Sequence, residues 1–291
     1  MIKEAKLVIL QTLAYSDVFD YPLKEEELWR FLIAPSAGSG QVSRRQLKEK
    51  LDSSPSVIKY KDGFYCFSQR AHIIEKRKRK EKISQEKFAI LKKAIFYLRL
   101  IPTVQLLGIS GALAMKNADK DDDIDLFVIA KKNKLWMTRA FLVIILELLG
   151  LRRRRKEKNT ANKICLNMLI DEAFLSLSKE KQDLYGAHEV VQMLPLFERN
   201  NTYTRFITAN LWVKNFLPNG LDIKILKYKD IKGSKSHNLF EFFAKILQLW
   251  YMKKHQTTEV ISDGMLAFHP FDYRKKILKV YNQRLRKYQI I

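Results

Sequence analysis

Three consecutive carboxylates, Asp121-Asp122-Asp123, run directly into Ile124-Asp125 and then into the apolar stretch Leu126-Phe127-Val128-Ile129. Residues two apart on a strand point to one face, so Asp123 and Asp125 would stand side by side while Ile124, Leu126 and Val128 enter the core. Two carboxylates held that close repel, and a divalent cation between them relieves the repulsion. Cations held in this way and bridging phosphates are what phosphoryl or nucleotidyl transfer requires. About a dozen residues upstream, Gly108-Ile109-Ser110-Gly111-Ala112 reads as a glycine turn at the end of a strand. Such a turn lets backbone N–H groups approach an anion closely.

The pair of motifs resembles the signature of the nucleotidyltransferase superfamily with the DNA polymerase β-like fold. That signature is Gly-Ser-x-Ala, seven residues, then Ser-Asp-Ile-Asp-Leu. It falls without a gap on Gly111-Ala112-Leu113-Ala114 and on Asp122-Asp123-Ile124-Asp125-Leu126. The resemblance covers residues 100 to 175, and the flanks are similar to a bacterial and archaeal group of such proteins with a winged-helix front end. It implies that Asp123 and Asp125 bind Mg²⁺ or Mn²⁺, that Ser110, Gly111 and Ala112 hold the triphosphate of an NTP, and that the third acidic strand position is Asn167. Two departures stand out. The motif serine is Ala112, and Asn167 is neutral where the superfamily has a carboxylate that helps activate the attacking hydroxyl. Asp171, four residues further on, would lie about 13 Å away at ~3.3 Å per residue, too far to substitute.

The 291 residues carry 54 Lys and Arg against 31 Asp and Glu, a net charge of +23. An excess of that size points to a polyanionic partner: nucleic acid, an anionic membrane surface or a phosphorylated ligand. Its concentrated stretches are Arg44-Arg45, Lys76-Arg77-Lys78-Arg79-Lys80 and Arg152-Arg153-Arg154-Arg155-Lys156. Cys66 and Cys165 sit among apolar neighbours and read as buried thiols rather than a disulfide or metal pair. With no Cys-x-x-Cys and scattered histidines, zinc is not expected. The amino terminus lacks the apolar core of a signal peptide, and the most apolar run, Ala140 to Leu151, is about half the ~20 residues of a membrane span. No membrane association and a cytoplasmic location are expected.

Hydrophobic periodicity predicts an α+β chain in three parts. Residues 1–69 read as a winged helix-turn-helix, with Ser43 capping a third helix and Lys61-Asp62-Gly63 turning a hairpin. Residues 70–180 read as a basic connecting helix and a transferase core, with strands Val104 to Ile109 and Ile164 to Ile170 and a helix from Leu135 to Leu149. Residues 181–291 read as a helical domain with helices over Phe197 to Phe216, Leu239 to Lys254 and Tyr273 to Arg286. Three functions follow as expectations. One is a metal-dependent nucleotidyltransferase moving a nucleoside monophosphate from an NTP to an acceptor. The second is a degenerate relative that binds nucleotide or nucleic acid without turnover. The third is a winged-helix DNA-binding regulator.

Overall fold

A computed structural model describes residues 2–35, 42–53, 56–154, 157–221, 239–253, 260–262, 264–267 and 273–290. The chain is mixed α+β. It opens with α1 (Ile2–Asp17), α2 (Glu25–Arg30) and α3 (Arg44–Asp52), followed by the hairpin of β1 (Ile58–Lys61) and β2 (Phe64–Phe67). Ser43 starts α3 as expected, accepting from the Gln46 N–H while the Gln46 side chain accepts from the Ser43 N–H. The hairpin turns where both Asp62 (φ 54°) and Gly63 (φ 83°) are left-handed, which suits the twist of a two-residue turn. Leu23 and Tyr65 exchange both backbone hydrogen bonds, so a third short segment pairs with the hairpin. The Pro35 to Gly40 loop falls almost wholly outside the described residues.

From there α4 (Ile73–Leu98) runs 26 residues to the start of the central sheet. Next come β3 (Val104–Ile109), the single turn α5 (Gly111–Ala114), β4 (Ile124–Ala130), α6 (Leu135–Leu148) and β5 (Ile164–Asp171). They are followed by α7 (Leu184–Gln192), β6 (Leu194–Glu198), α8 (Thr202–Ala209), α9 (Leu239–Lys253), β7 (Val260–Ile261), β8 (Met265–Ala267) and α10 (Tyr273–Lys287). Six strands form one sheet in the order β6-β3-β4-β5-β8-β7. Within it β4 and β5 are parallel, joined by the α6 crossover, and β3 lies antiparallel to β4.

The last third of the chain is therefore not purely helical, since β6, β7 and β8 complete both edges of the sheet. In the stretch Phe197 to Phe216, expected as one helix, Phe197 and Glu198 end β6, and a left-handed turn at Asn200 and Asn201 precedes α8. Aromatic spacing alone did not reveal the strand. The Lys-rich connection before α9 lies outside the described residues.

Both faces of the sheet are covered. Leu126 and Val128 pack with α4 and α6, whereas Phe127 and Ile129 pack with α7 and α8. Alternation therefore puts Asp125 on the α7 side, and Asp123, one residue before β4, lies close to it. The buried stripe of α4 has Leu91, Ala94, Ile95 and Leu98 at its C-terminal end, but Arg77, Lys80 and Lys87 toward its N-terminal end. The buried cations are paired. Arg77 lies 3.7 Å from the Tyr21 ring centroid and reaches Glu27 (2.9 Å) and Glu81 (3.1 Å). Lys80 reaches Asp119 (2.8 Å). Lys87 donates to the carbonyls of Lys120 (3.0 Å) and Asp122 (2.6 Å) and to the Asn162 amide oxygen (3.1 Å). These contacts pin the loop that delivers Asp123 to the sheet.

Lys87→Met keeps the buried aliphatic stem but strands three acceptors, each costing roughly 1–3 kcal/mol when left unpaired. Urea unfolding should show a loss of about 3 kcal/mol or more for that variant, whereas Lys92→Met, on the exposed face of the same helix, should stay within about 0.5 kcal/mol of the parent.

Candidate metal centre

The strand register brings the site together. Asp125 is registered opposite Cys165 across β4 and β5. One ligand atom from each of Asp123, Asp125 and Cys165 lies within 4.8 Å of the others. Gly111 (φ +64°) closes the neighbouring turn, and a Cβ there would sit 2.9 Å from Asp125 Oδ2. The turn is tied to the same strand, because the Ser110 N–H donates to the Asp125 carbonyl (3.1 Å). Glycine therefore answers two demands here, a left-handed backbone and room for a carboxylate.

A cation already faces this cluster. Arg153 Nη1 donates to Asp123 Oδ2 at 2.5 Å, and the charge of the same guanidinium acts on the Cys165 sulfur. Arg153 is aimed there by its backbone, whose N–H donates to the Ile164 carbonyl (3.0 Å) beside a bridge from Arg152 to Ile164. Asp125 makes no ion pair among the described residues. Burial, reinforced by the charges of Asp123 and Glu189 and opposed by Arg153, pushes its carboxyl up to about 7. Burial, with Asp125 and Asp123, pushes the Cys165 thiol up to about 12.

Beside the cluster, Ser110, Asn167, Phe127, Met168 and Glu189 line a cavity of about 40 Å³, room for one or a few waters. Asn167 sits at the β5 bulge, where Leu126 pairs Leu166 and Phe127 pairs Met168, and its amide donates to Ser110 Oγ (3.4 Å). Glu189, on α7, is pushed up to about 7 by burial, against the lowering effect of a hydrogen bond from Tyr185. A larger groove of about 410 Å³ opens between α4 and α6, lined by Tyr97, Leu100, Pro102, Phe141 and Leu148. Its walls are apolar and it lies at the opposite end of β3, so it offers nothing to chemistry at the carboxylates.

The expected residues thus divide. Asp123, Asp125 and Gly111 converge; Ser110 and Asn167 meet at the adjoining cavity; Ala112 is exposed, its carbonyl accepting from Asn117 N (2.8 Å). Asp122 caps its own turn by accepting from Asp119 N (2.8 Å), and Asp171 accepts from Asn133 N (2.6 Å) and Ala173 N (2.9 Å) to fix the loop after β4. Of the basic run after α6, Arg152 and Arg154 both pair with Glu147, and Arg155 and Lys156 lie outside the described residues. Cys165, Glu189 and the Arg153 pairing were not read from the sequence. Glu189 left one signal, a single carboxylate among Ala187, Val190 and Val191 in a helix that must be buried. Cys165 left none without the register.

A carboxyl raised in the folded state binds a proton that the unfolded chain has already lost, so stability falls as pH rises from about 4 through about 7. Asp125→Asn should flatten that fall and raise the melting temperature at pH 8 while leaving it nearly unchanged at pH 4, as thermal unfolding followed by circular dichroism would register. Equal pH profiles for the two proteins would contradict the burial of the Asp125 charge.

In comparison with family models, curated proteins and solved structures, nothing matches the chain.

Proposed function

We propose that this chain is a metal-dependent nucleotidyltransferase that moves a nucleoside monophosphate from an NTP to an acceptor. The observation that carries the reading is the convergence of Asp123, just before β4, and Asp125, within it, beside the Gly111 turn. In this reading Asp123 and Asp125 hold Mg²⁺ or Mn²⁺. When bound, such a cation neutralises charge on the transferring phosphates and orients them. Gly111 keeps the backbone close enough for its N–H groups to face phosphate oxygens, and the Ser110 hydroxyl stands at the same turn. The Arg153 guanidinium, with its flat fork of donors, would be free to pair with phosphate oxygens once a cation replaced it at Asp123. Glu189, poised near neutrality beside Ser110 and Asn167, is the nearby carboxylate suited to accept a proton from an acceptor hydroxyl.

A second reading is supported by the neutral Asn167 and the missing hydroxyl of Ala112: a relative that binds nucleotide without turnover. Outside the site, the order of three helices and a hairpin in residues 1–69 supports a winged helix, with Arg44, Arg45, Lys48 and Lys50 on its third helix. Arg44 and Arg45 are exposed and pair with Glu26 and Glu49, surface pairs that a phosphate backbone would readily exchange. No described helix is long and apolar enough to cross a membrane.

Calorimetric titration with ATP and Mn²⁺ should give binding that is abolished in the Asp123→Asn, Asp125→Asn double variant and in Gly111→Ala. Undiminished binding in the double variant would remove the site. Incubation with labelled NTPs and cellular RNA then separates the two readings, since transfer by the parent supports the enzyme. Transfer only after Ala112→Ser and Asn167→Asp supports the silent relative.

The charge makes a separate prediction. Nucleic-acid affinity should fall with salt by ~0.9 log units per log unit of salt for each duplex phosphate contacted. Replacing Arg44 and Arg45 by alanine should flatten that slope if the front unit grips DNA, and an unchanged slope would exclude α3 as the contact.

A further inference from the structure

We infer that Cys165 is the third protein ligand of the metal centre, giving an Asp-Asp-Cys donor set that selects a thiophilic divalent cation such as Co²⁺ or Zn²⁺ over Mg²⁺. The inference rests on the reading of Asp123 and Asp125 as metal ligands and names the kind of metal they share with a thiolate.

Three observations carry it. The first is register. Parallel pairing places Cys165 directly beside Asp125, and Asp123, one residue before β4, lies close to both, so the thiol stands with the two carboxylates. The second is distance. The carboxylate oxygens and the sulfur lie within 4.8 Å of one another, a spread that small rotations bring around one ion at ~2.0–2.3 Å from each donor. The third is a cation facing the pair. The Arg153 guanidinium donates to Asp123 (2.5 Å) and its charge acts on the Cys165 sulfur, so positive charge is accommodated beside a carboxylate and the sulfur as the chain stands.

Asn167, in contrast, turns its amide N–H to the Ser110 hydroxyl. The neighbouring strand thus offers the site a sulfur in place of a third oxygen. Donor chemistry then sets the preference. Mg²⁺ favours six oxygens in near-ideal octahedral array and gives up water reluctantly, whereas thiolate donors favour softer ions. As the ion binds, the thiol proton passes to solvent and Arg153 leaves Asp123, which frees its guanidinium for an anion.

The test is a Co²⁺ titration of the full chain, followed both by near-ultraviolet absorption and by calorimetry. Thiolate bonded to Co²⁺ gives an intense sulfur-to-metal charge-transfer band that oxygen ligands do not give. The parent and a Cys66→Ser variant should both develop the band. Cys165→Ser should lose it, with Co²⁺ affinity falling at least about tenfold, because even outer-shell partners of a metal are worth that much. Mg²⁺ affinity should change little. The band in the parent and in Cys66→Ser needs no Cys165 variant, so a folding defect in Cys165→Ser would not hide the answer. If Co²⁺ binds, is lost in Asp125→Asn, yet gives no band, the two-aspartate site stands and the sulfur ligand falls. If neither Co²⁺, Mn²⁺ nor Mg²⁺ binds the parent, with or without ATP, both fall together.

Discussion

Two carboxylates held together at the start of one strand, Asp123 just before β4 and Asp125 within it, are the constraint around which the rest of this molecule is arranged. Asp123 and Asp125 repel, and burial raises the cost for Asp125 until its carboxyl titrates near neutrality. A sequence selected for stability alone would not place them there, because an apolar residue at position 125 would pack between Gly111 and Cys165 without charge. The surroundings hold the pair in position. Lys87 fixes the incoming loop through three acceptors, the left-handed Gly111 leaves space beside Asp125, and Arg153 neutralises Asp123. The proposed function would draw on such a destabilised group held in a fixed frame.

Most of the positive charge nearest the site is already engaged inside the molecule. Lys76, Arg77, Lys78 and Lys80 pair with Asp20, Glu27, Asp62 and Asp119, joining α4 to the hairpin, to the segment before α2 and to the carboxylate loop. The front unit is further bound to the rest through Asp17, which faces Arg70, Arg284 and the Tyr288 hydroxyl, and through Tyr21, whose hydroxyl donates to the Met115 carbonyl just after α5. The front helices thereby contact the chain directly after the glycine turn.

What was legible in the sequence follows from how local its cause is. The limits of β3 and the starts of α6, α9 and α10 were readable because period, proline and glycine act within a few residues. Asp123 and Asp125 were legible as a pair because a two-residue spacing keeps them together. Cys165 was not, because its place beside Asp125 depends on the register of two strands separated by a helix. The Lys76 to Lys80 run read as charge for a polyanionic partner, since composition does not reveal that Arg77 lies against the Tyr21 ring. β6 was hidden for a related reason: Leu194 to Glu198 becomes a strand only because β3 offers it an edge. No local signal carries that information.

The central claim is that Asp123 and Asp125 hold a divalent cation. A crystal grown with Mn²⁺ and a non-hydrolysable ATP analogue tests it most directly through the anomalous scattering of the metal. The account predicts a peak within about 2.2 Å of an oxygen from each aspartate, with the Arg153 guanidinium moved off Asp123 toward the phosphates. Nucleotide bound elsewhere, or Arg153 still on Asp123 with no peak between the carboxylates, would contradict it.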